Sequence, residues 1–244
     1  MSFKVYIPAR LAATRLKEKL LREVDGQPLI CHTVARAFQS GASEVVVATD
    51  HQRIADAVSN TSASVVMTAI DHLSGSDRLG EAVKIREESQ DTVVVNLQGD
   101  EPLMPAAVIE QVAGLIIDGQ REIATVCEPL AEAQYEDPNV VKVVRSAAQT
   151  ALYFSRASIP FDREGTGDRS RCRRHVGIYG YRVRTLLRFL SLPAAPLETL
   201  EKLEQLRALY HGLSIEVADA VEPCGIGVDT PADLKRLRAL VGGP

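Results

Sequence analysis

The sequence predicts an α/β fold built on a mostly parallel central sheet with helices on both faces. Continuous valine-rich apolar runs, Glu44 to Thr49 (EVVVAT) and Thr92 to Leu97 (TVVVNL), suit strands covered on both sides. Such runs alternate with segments of helical apolar spacing, the order that produces parallel βαβ units. Over 244 residues, 45% hydrophobic and 25% charged side chains make an ordinary globular composition, and the chain is long enough to bury a core without disulfide or metal staples.

Element by element, Phe3 to Ile7 reads as the first strand. Pro28 to Gln39 reads as a helix with Ile30, Val34, Ala37 and Phe38 on one face. Gln52 to Ser59 is expected as a helix, Ser64 to Thr68 as a strand and Gly75 to Glu88 as a helix. Pro105 to Ile117 reads as a helix opened by proline, whose missing N–H is harmless in a first turn. Ile123 to Cys127 follows as a strand. The second half changes character: Val140 to Val144, Ala151 to Ser155 and Gly177 to Val183 read as strands with no full helices between them. They predict a smaller antiparallel or mixed-sheet portion lying over the first sheet. Leu197 to Tyr210 reads as one amphipathic helix, with Leu200, Leu203, Leu206, Leu209 and Tyr210 toward a core or partner. Ser214 to Ala218 is a short strand, and Pro231 to Leu240 a closing helix. Arg163 to Arg174, rich in Gly, Ser and Arg, reads as an exposed loop.

Several classes are excluded. Lys and Arg total 28 against 32 Asp and Glu, a net charge of −4 that does not suit a nucleic-acid binder held by clustered cations. The short cluster Arg169, Arg171, Arg173 and Arg174 is equally explained by a loop over an acidic substrate. Apolar stretches fall short of the ~20 residues of a membrane helix. Met1-Ser2-Phe3-Lys4 opens no secretory signal, so a soluble intracellular protein is expected. The four cysteines share no CxxC spacing and the five histidines form no HExxH, which argues against a disulfide framework or a zinc site. Neither GxGxxG nor GxxxxGK[ST] follows the first strand, which disfavours NAD enzymes and P-loop NTPases.

Ligands of open parallel sheets bind at the carboxyl ends of the strands. After the first strand, Arg10, Arg15, Lys17 and Lys19 place four cations within ten residues, a pattern suited to a polyphosphate or to a solvated basic loop. One ion pair at ~4 Å is worth ~4 kcal/mol at an effective dielectric of ~20. After the central strand, Gln98-Gly99-Asp100-Glu101-Pro102 offers Asp100 as a Mg²⁺ ligand or as a turn residue. Asp229 in GVDTP offers a second carboxylate, beside Thr230 as a helix cap. Ser74 and Ser76 are either contacts to a nucleotide or caps of the third helix. Arg156 and the segment Arg174 to Arg182 (RHVGIYGYR), with His175 and Tyr179, suit an acidic substrate.

Taken as an ordered set, IPAR (7–10), TRL (14–16), Lys19, VATDH (47–51), DHLSGSDRL (71–79), VNLQGDEP (95–102), PNVVKVV (138–144), ALYFSRASIP (151–160), RHVGIYGYR (174–182), LEQLR (203–207) and GVDTPADL (227–234) resemble the bacterial 3-deoxy-manno-octulosonate (Kdo) cytidylyltransferases, the CMP-Kdo synthetases. The resemblance spans nearly the whole chain. It implies a Rossmann-like nucleotidyltransferase fold in a single unit, 1–244, with a nucleotide part at about 1–130 and a sugar-binding and dimerisation part at about 131–225. The C-terminal strand and helix return to the core. Implied too is CMP transfer from CTP to the anomeric hydroxyl of Kdo with release of pyrophosphate, for lipopolysaccharide biosynthesis, by a cytoplasmic homodimer that inserts in no membrane.

Mg²⁺ would sit on Asp100 and Asp229, and Arg15 and Lys19 would complete the catalytic set. Ala9, Arg10, Arg15, Lys19, Ser74, Gln98 and Asp100 correspond to the family's nucleotide site. Gln98, Arg156, His175, Tyr179, Glu204 and Gln205 correspond to its sugar site. A related acid sugar (an amino-substituted Kdo or a nonulosonic acid) and a nonenzymatic nucleotide binder remain as alternatives.

The chain departs from the family's usual first loop, approximately R-x-x-S-T-R-L-P-G-K-P-L. Ala13 replaces Ser, Lys17-Glu18 replaces Pro-Gly, Leu20 replaces Pro, and Phe161 stands where Trp is common. Glycine adopts positive φ without strain and lets backbone N–H groups approach phosphate; Glu18 does so only at a cost and adds a negative charge. Restoring Pro-Gly at 17 and 18 is therefore expected to lower KM for CTP in steady-state assays; an unchanged KM contradicts the expectation.

Overall fold

The computed structural model describes residues 2–13, 15–119 and 121–242, so Thr14 of the first loop lies outside the described residues. Strands β1 (Phe3–Ala9), β4 (Glu44–Thr49), β5 (Ser64–Met67), β6 (Val93–Asn96), β7 (Ile123–Pro129), β10 (Arg173–Arg182) and β11 (Ile215–Asp219) are ordered β11-β7-β10-β6-β1-β4-β5. Neighbours pair in parallel except along β10, which runs antiparallel to both β6 and β7. β2 (Glu23–Val24) and β3 (Gln27–Pro28) form a separate small hairpin.

Helices α1 (Leu29–Gln39), α2 (Gln52–Val58), α4 (Ala106–Ile117) and α8 (Pro231–Val241) cover one face, with Val5, Ile7, Val45 and Val47 of the strands in the same core. On the other face, α3 (Gly75–Ile85), α5 (Val183–Ser191) and α7 (Gln205–Tyr210) pack on Tyr6, Val46, Ala48 and Val94. Alternate residues of one strand thus enter opposite cores, which is why β4 reads as an unbroken apolar run.

Three local expectations change. The antiparallel strands β8 (Lys142–Arg145) and β9 (Ala151–Ser155) do not lie over the parallel sheet; they continue it from β10. β10 makes this possible by its length. Tyr179 to Arg182 pair with β6, while Arg173 and Arg174 extend past the end of β6 to pair with β8, and the register against β7 slips between Val176 and Tyr179.

The expected helix from Leu197 to Tyr210 is two helices, α6 (Pro196–Glu201) and α7, separated at Lys202, which is left-handed at φ 55°. Tertiary hydrogen bonds override the helical period there: the Glu201 carboxylate accepts from Ser155 Oγ (2.6 Å) and Arg156 N (2.9 Å), and its carbonyl accepts from Arg156 Nε (2.8 Å). As a result Leu203 and Leu206 are buried while Leu200 and Tyr210 are exposed. Helix α5 follows β10 without a break, so the expected strand from Gly177 to Val183 hid its start. Its Val183, Leu186 and Phe189 nevertheless recur at helical spacing and are buried.

Close packing of β10 on α4 requires Gly180: a Cβ there would lie 2.9 Å from both Val112 Cγ1 and Val112 O. Gly180→Ala is expected to cost ~1–3 kcal/mol by overpacking. At ~2–4 °C per kcal/mol for a chain of this size, Tm falls by several degrees in calorimetry. By contrast, a Cβ at Gly114 on α4 meets nothing within 4 Å, so Gly114→Ala should hold or raise Tm. Equal effects at the two sites would contradict this packing.

Candidate active site

The parallel strands end on one edge of the sheet, and the loops beyond β1 and β6 build a cleft there. The loop before α8 joins them by a backbone bond from Val228 N to Asp100 O (2.9 Å). Gly99 allows the close approach: a Cβ on it would lie 3.2 Å from Pro8 O and 3.1 Å from Ile30 Cδ1. Its carbonyl accepts from Thr33 Oγ1 on α1 (2.9 Å). Gly227 likewise leaves room for the Glu101 carboxylate, 2.6 Å from where a Cβ would stand. Burial first, then the negative charge of Asp100, pushes Glu101 up to about 8.

Lys19 sits at the floor of this cleft. Its ammonium bonds to Asp100 Oδ2 and, at 2.9 Å, to Asp229 Oδ1, while Arg15 pairs with Asp229 Oδ2 at 2.9 Å. Burial acts to lower the Lys19 pKa, but the two carboxylates outweigh it and hold the pKa raised. Ala9, Arg10, Arg15, Lys19, Ser74, Gln98, Asp100 and Asp229 line this single cleft. Leu20, where the family usually has Pro, is buried among Gly99 and its neighbours and anchors the loop.

Asp100 and Asp229 already converge on one cation, the Lys19 ammonium, so two carboxylate oxygens face a common positive centre. Mg²⁺ takes one or two carboxylates and completes its shell with phosphate oxygens and water. The donor set fits that ion when a polyphosphate occupies the cleft.

A second, smaller cavity lies behind the N-terminus of α3, lined by Ser76, Tyr179, Tyr181, Phe189, Glu204 and Gln205 among others. Glu204 stands at the start of α7, just after the helix break, and accepts from Ser74 Oγ (2.8 Å) and Ser76 Oγ (2.9 Å). Ser74 is also the N-cap of α3 in a capping box with Asp77, so it holds both roles weighed from the sequence. Because Ser74 lines one cavity and Ser76 the other, Glu204 forms part of the wall between them. Burial raises the Glu204 pKa against the lowering effect of both serine hydroxyls.

The Tyr179 hydroxyl is buried and has no hydrogen-bond partner among the described residues; Tyr181 lies near Asn96 and Ser76 without reaching hydrogen-bond geometry. Arg156 lines neither cavity. Its guanidinium is held by the carbonyls of Pro138 (2.9 Å) and Glu201 (2.8 Å). His175 lines neither as well, and its ring lies 5.3 Å from that of Tyr179.

Sequence reasoning did not single out Arg78, Asp50, Tyr181 or Glu101. Arg78, buried at the cleft, pairs with Asp50 (3.1 Å) and donates to Thr68 Oγ1 and Ala69 O. Asp50 Oδ1 in turn accepts from Leu11 N (3.1 Å), tying the first loop to the end of β4. Both stand inside quoted motifs, VATDH and DHLSGSDRL. Their neighbours in those motifs are themselves polar or charged, so nothing local marked these two out.

Burial, with repulsion from Arg174, pushes His175 down to about 3. Thr125 Oγ1 donates to Ile178 O (2.7 Å) and lies 3.1 Å from His175 Nε2, which fits a neutral ring donating from Nε2. Below pH ~6.5 the unfolded chain takes up a proton that folded His175 refuses, so stability falls as pH drops from ~6.5 toward the folded value, by ~1.4 kcal/mol per pH unit. His175→Gln should remove this dependence. In urea denaturation the stability gap between wild type and variant shifts against wild type by ~2 kcal/mol from pH 7 to 5; a constant gap contradicts a neutral His175.

Comparison with known proteins places the chain in a family. The profile of the cytidylyltransferase family matches residues 5–215. A solved CMP:2-keto-3-deoxy-manno-octonic acid synthetase, complexed with CTP, is 40% identical, covers 99% of both chains and superposes with a TM-score of 0.91. Two remoter structures share the fold. A cytidylyltransferase from Leptospira borgpetersenii is 16% identical over 99% of this chain and 87% of its own, with a TM-score of 0.64. A nucleotidyl transferase from Methanothermobacter is 17% identical over 97% and 96%, with a TM-score of 0.60. The chain is a nucleotidyltransferase and belongs to the cytidylyltransferase family, in its CMP-Kdo synthetase branch.

Proposed function

We propose that this enzyme transfers CMP from CTP to the anomeric hydroxyl of Kdo. The hydroxyl oxygen bonds to the α-phosphorus of CTP, the bond from that phosphorus to the oxygen bridging to the β-phosphate breaks, and pyrophosphate leaves with the electron pair. The observation that carries the proposal is the Lys19 ammonium shared by Asp100 and Asp229 with Arg15 beside it, at the floor of a cleft whose 40%-identical relative was solved with CTP.

Arg10, Arg15 and Lys19 line the cleft and supply positive charge to the triphosphate and to the departing pyrophosphate. Gln98 and Ser74 line the same cleft and orient the nucleotide. Glu204, Gln205 and Tyr179 line the adjoining cavity, where carboxylate, amide and hydroxyl groups meet a polyhydroxylated acid sugar. Because the two cavities share the Ser74–Glu204–Ser76 wall, donor and acceptor lie side by side, and positioning supplies much of the rate. Mg²⁺ held by Asp100 and Asp229 would supply charge neutralisation at the α-phosphate and acidify the sugar hydroxyl.

Arg156 and His175 act from behind the sugar cavity. Arg156 fixes the helix break that presents Glu204, and His175 packs against Tyr179. The active species is a cytoplasmic homodimer, for which the exposed Leu152, Leu200 and Tyr210 offer apolar surface. No helix among the described residues is long and apolar enough to cross a membrane.

Pyrophosphate release should require CTP, Kdo and Mg²⁺ together and stop on addition of EDTA. Asp100→Asn should reduce kcat by ~100-fold or more, as loss of a preorganised charge contact does. Binding of CTP without release in the presence of Kdo would contradict the proposal, and a panel of amino-substituted Kdo and nonulosonic acids would then locate the acceptor.

A further inference from the structure

The altered phosphate loop carries a device that its sequence alone does not show. Glu18 stands in the left-handed region, φ 53° and ψ 39°, where the family's usual glycine would be free of strain. Directly after it, a 3₁₀ turn from Lys19 to Leu21 begins with the bond Leu21 N to Glu18 O (3.0 Å). The backbone of Glu18 therefore sets the direction in which Lys19 leaves the loop toward Asp100 and Asp229. Both Glu18 carboxylate oxygens are held by one guanidinium: Arg53 Nη1 to Oε1 at 2.6 Å and Nη2 to Oε2 at 3.0 Å. The backbone of Arg53 is anchored in the first turn of α2, where its amide N–H donates to Nδ1 of the capping His51 (3.1 Å). The pair lowers the Glu18 pKa through the Arg53 hydrogen bond, which keeps the carboxylate charged and engaged.

We infer that Arg53 is a positioning residue for the triphosphate site. It clamps Glu18 in the left-handed geometry that a glycine would adopt unaided, and it turns the Glu18 charge away from the incoming tetra-anion. Exposed ion pairs contribute little on average. This one differs in being bidentate and in holding a strained residue whose neighbour is Lys19. Two substitutions are thereby coupled: glutamate at 18 is tolerated because arginine stands at 53, so the drop in KM for CTP expected from the sequence on restoring Pro-Gly at 17 and 18 should be small while Arg53 holds the loop. The inference rests on the nucleotide-binding role proposed for the cleft.

The test is a double-mutant cycle on the full-length enzyme, with pyrophosphate release followed against CTP at saturating Kdo and Mg²⁺. Arg53→Met should raise KM for CTP by about three- to tenfold while kcat stays within about twofold. Arg53→Lys, keeping the charge but not the fork, should lie between. In the Glu18→Gly background, Arg53→Met should leave KM unchanged, because glycine needs no clamp. Thermal melts of each variant separate a folding defect from a site effect; Arg53 is exposed, and Tm should move little.

An unchanged KM in Arg53→Met overturns the inference. So does an equal rise in both backgrounds, which would make Arg53 a direct ligand of the nucleotide. Absence of any CTP turnover in wild type would overturn the proposed function and this inference with it, whereas wild-type turnover with an uncoupled cycle overturns only the inference.

Discussion

One ammonium group holds the site together. Lys19 bridges Asp100 from the loop after β6 and Asp229 from the loop before α8, and so joins three segments that are remote in the chain. Two carboxylates brought this close repel each other unless a cation lies between them. Lys19 supplies that cation, with Arg15 neutralising the outer face of Asp229. The loop that carries Lys19 is held in turn by Leu20 in the core and by Leu11 N on Asp50. Everything proposed for the nucleotide follows from this cluster. It offers a triphosphate two cations and a metal ion two carboxylates.

The second half of the chain turns a nucleotide-binding sheet into a two-substrate site. A strand longer than its neighbours, β10, carries Tyr179 beside the central sheet and His175 beyond the end of β6. The hairpin β8–β9 then gives Ser155 and Arg156 the position from which they break the helix at Lys202. That break is what brings Glu204 under the two serines of α3. A continuous helix from Leu197 to Tyr210 would fix Glu204 by its own period; the interruption frees it to be placed by the partners it meets.

Most of the parallel core was legible because its signals are local. Valine runs, the proline before α4 and the Thr230-Pro231 start of α8 each state their structure within a few residues. What was illegible depends on distant contacts. Nothing near Lys202 marks a break, since the cause sits on β9. Helix α5 hides because β10 runs into it with neither glycine nor proline between them. The charged anchors Arg10, Arg15, Lys19, Asp100 and Asp229 were legible as candidates from their loop positions, and the fold does gather them in one cleft. By contrast, the left-handed Glu18 could be read as a departure but not as a compensated one, because Arg53 lies on another helix.

Anomalous diffraction from crystals of the enzyme with CTP and Mn²⁺, the latter standing in for Mg²⁺, tests the central claim most directly. An anomalous peak within coordination reach of Asp100, Asp229 and the α-phosphate is predicted, with Lys19 and Arg15 on the triphosphate. A triphosphate in the cleft with the metal away from both carboxylates, or a Lys19 still locked between them, would contradict it.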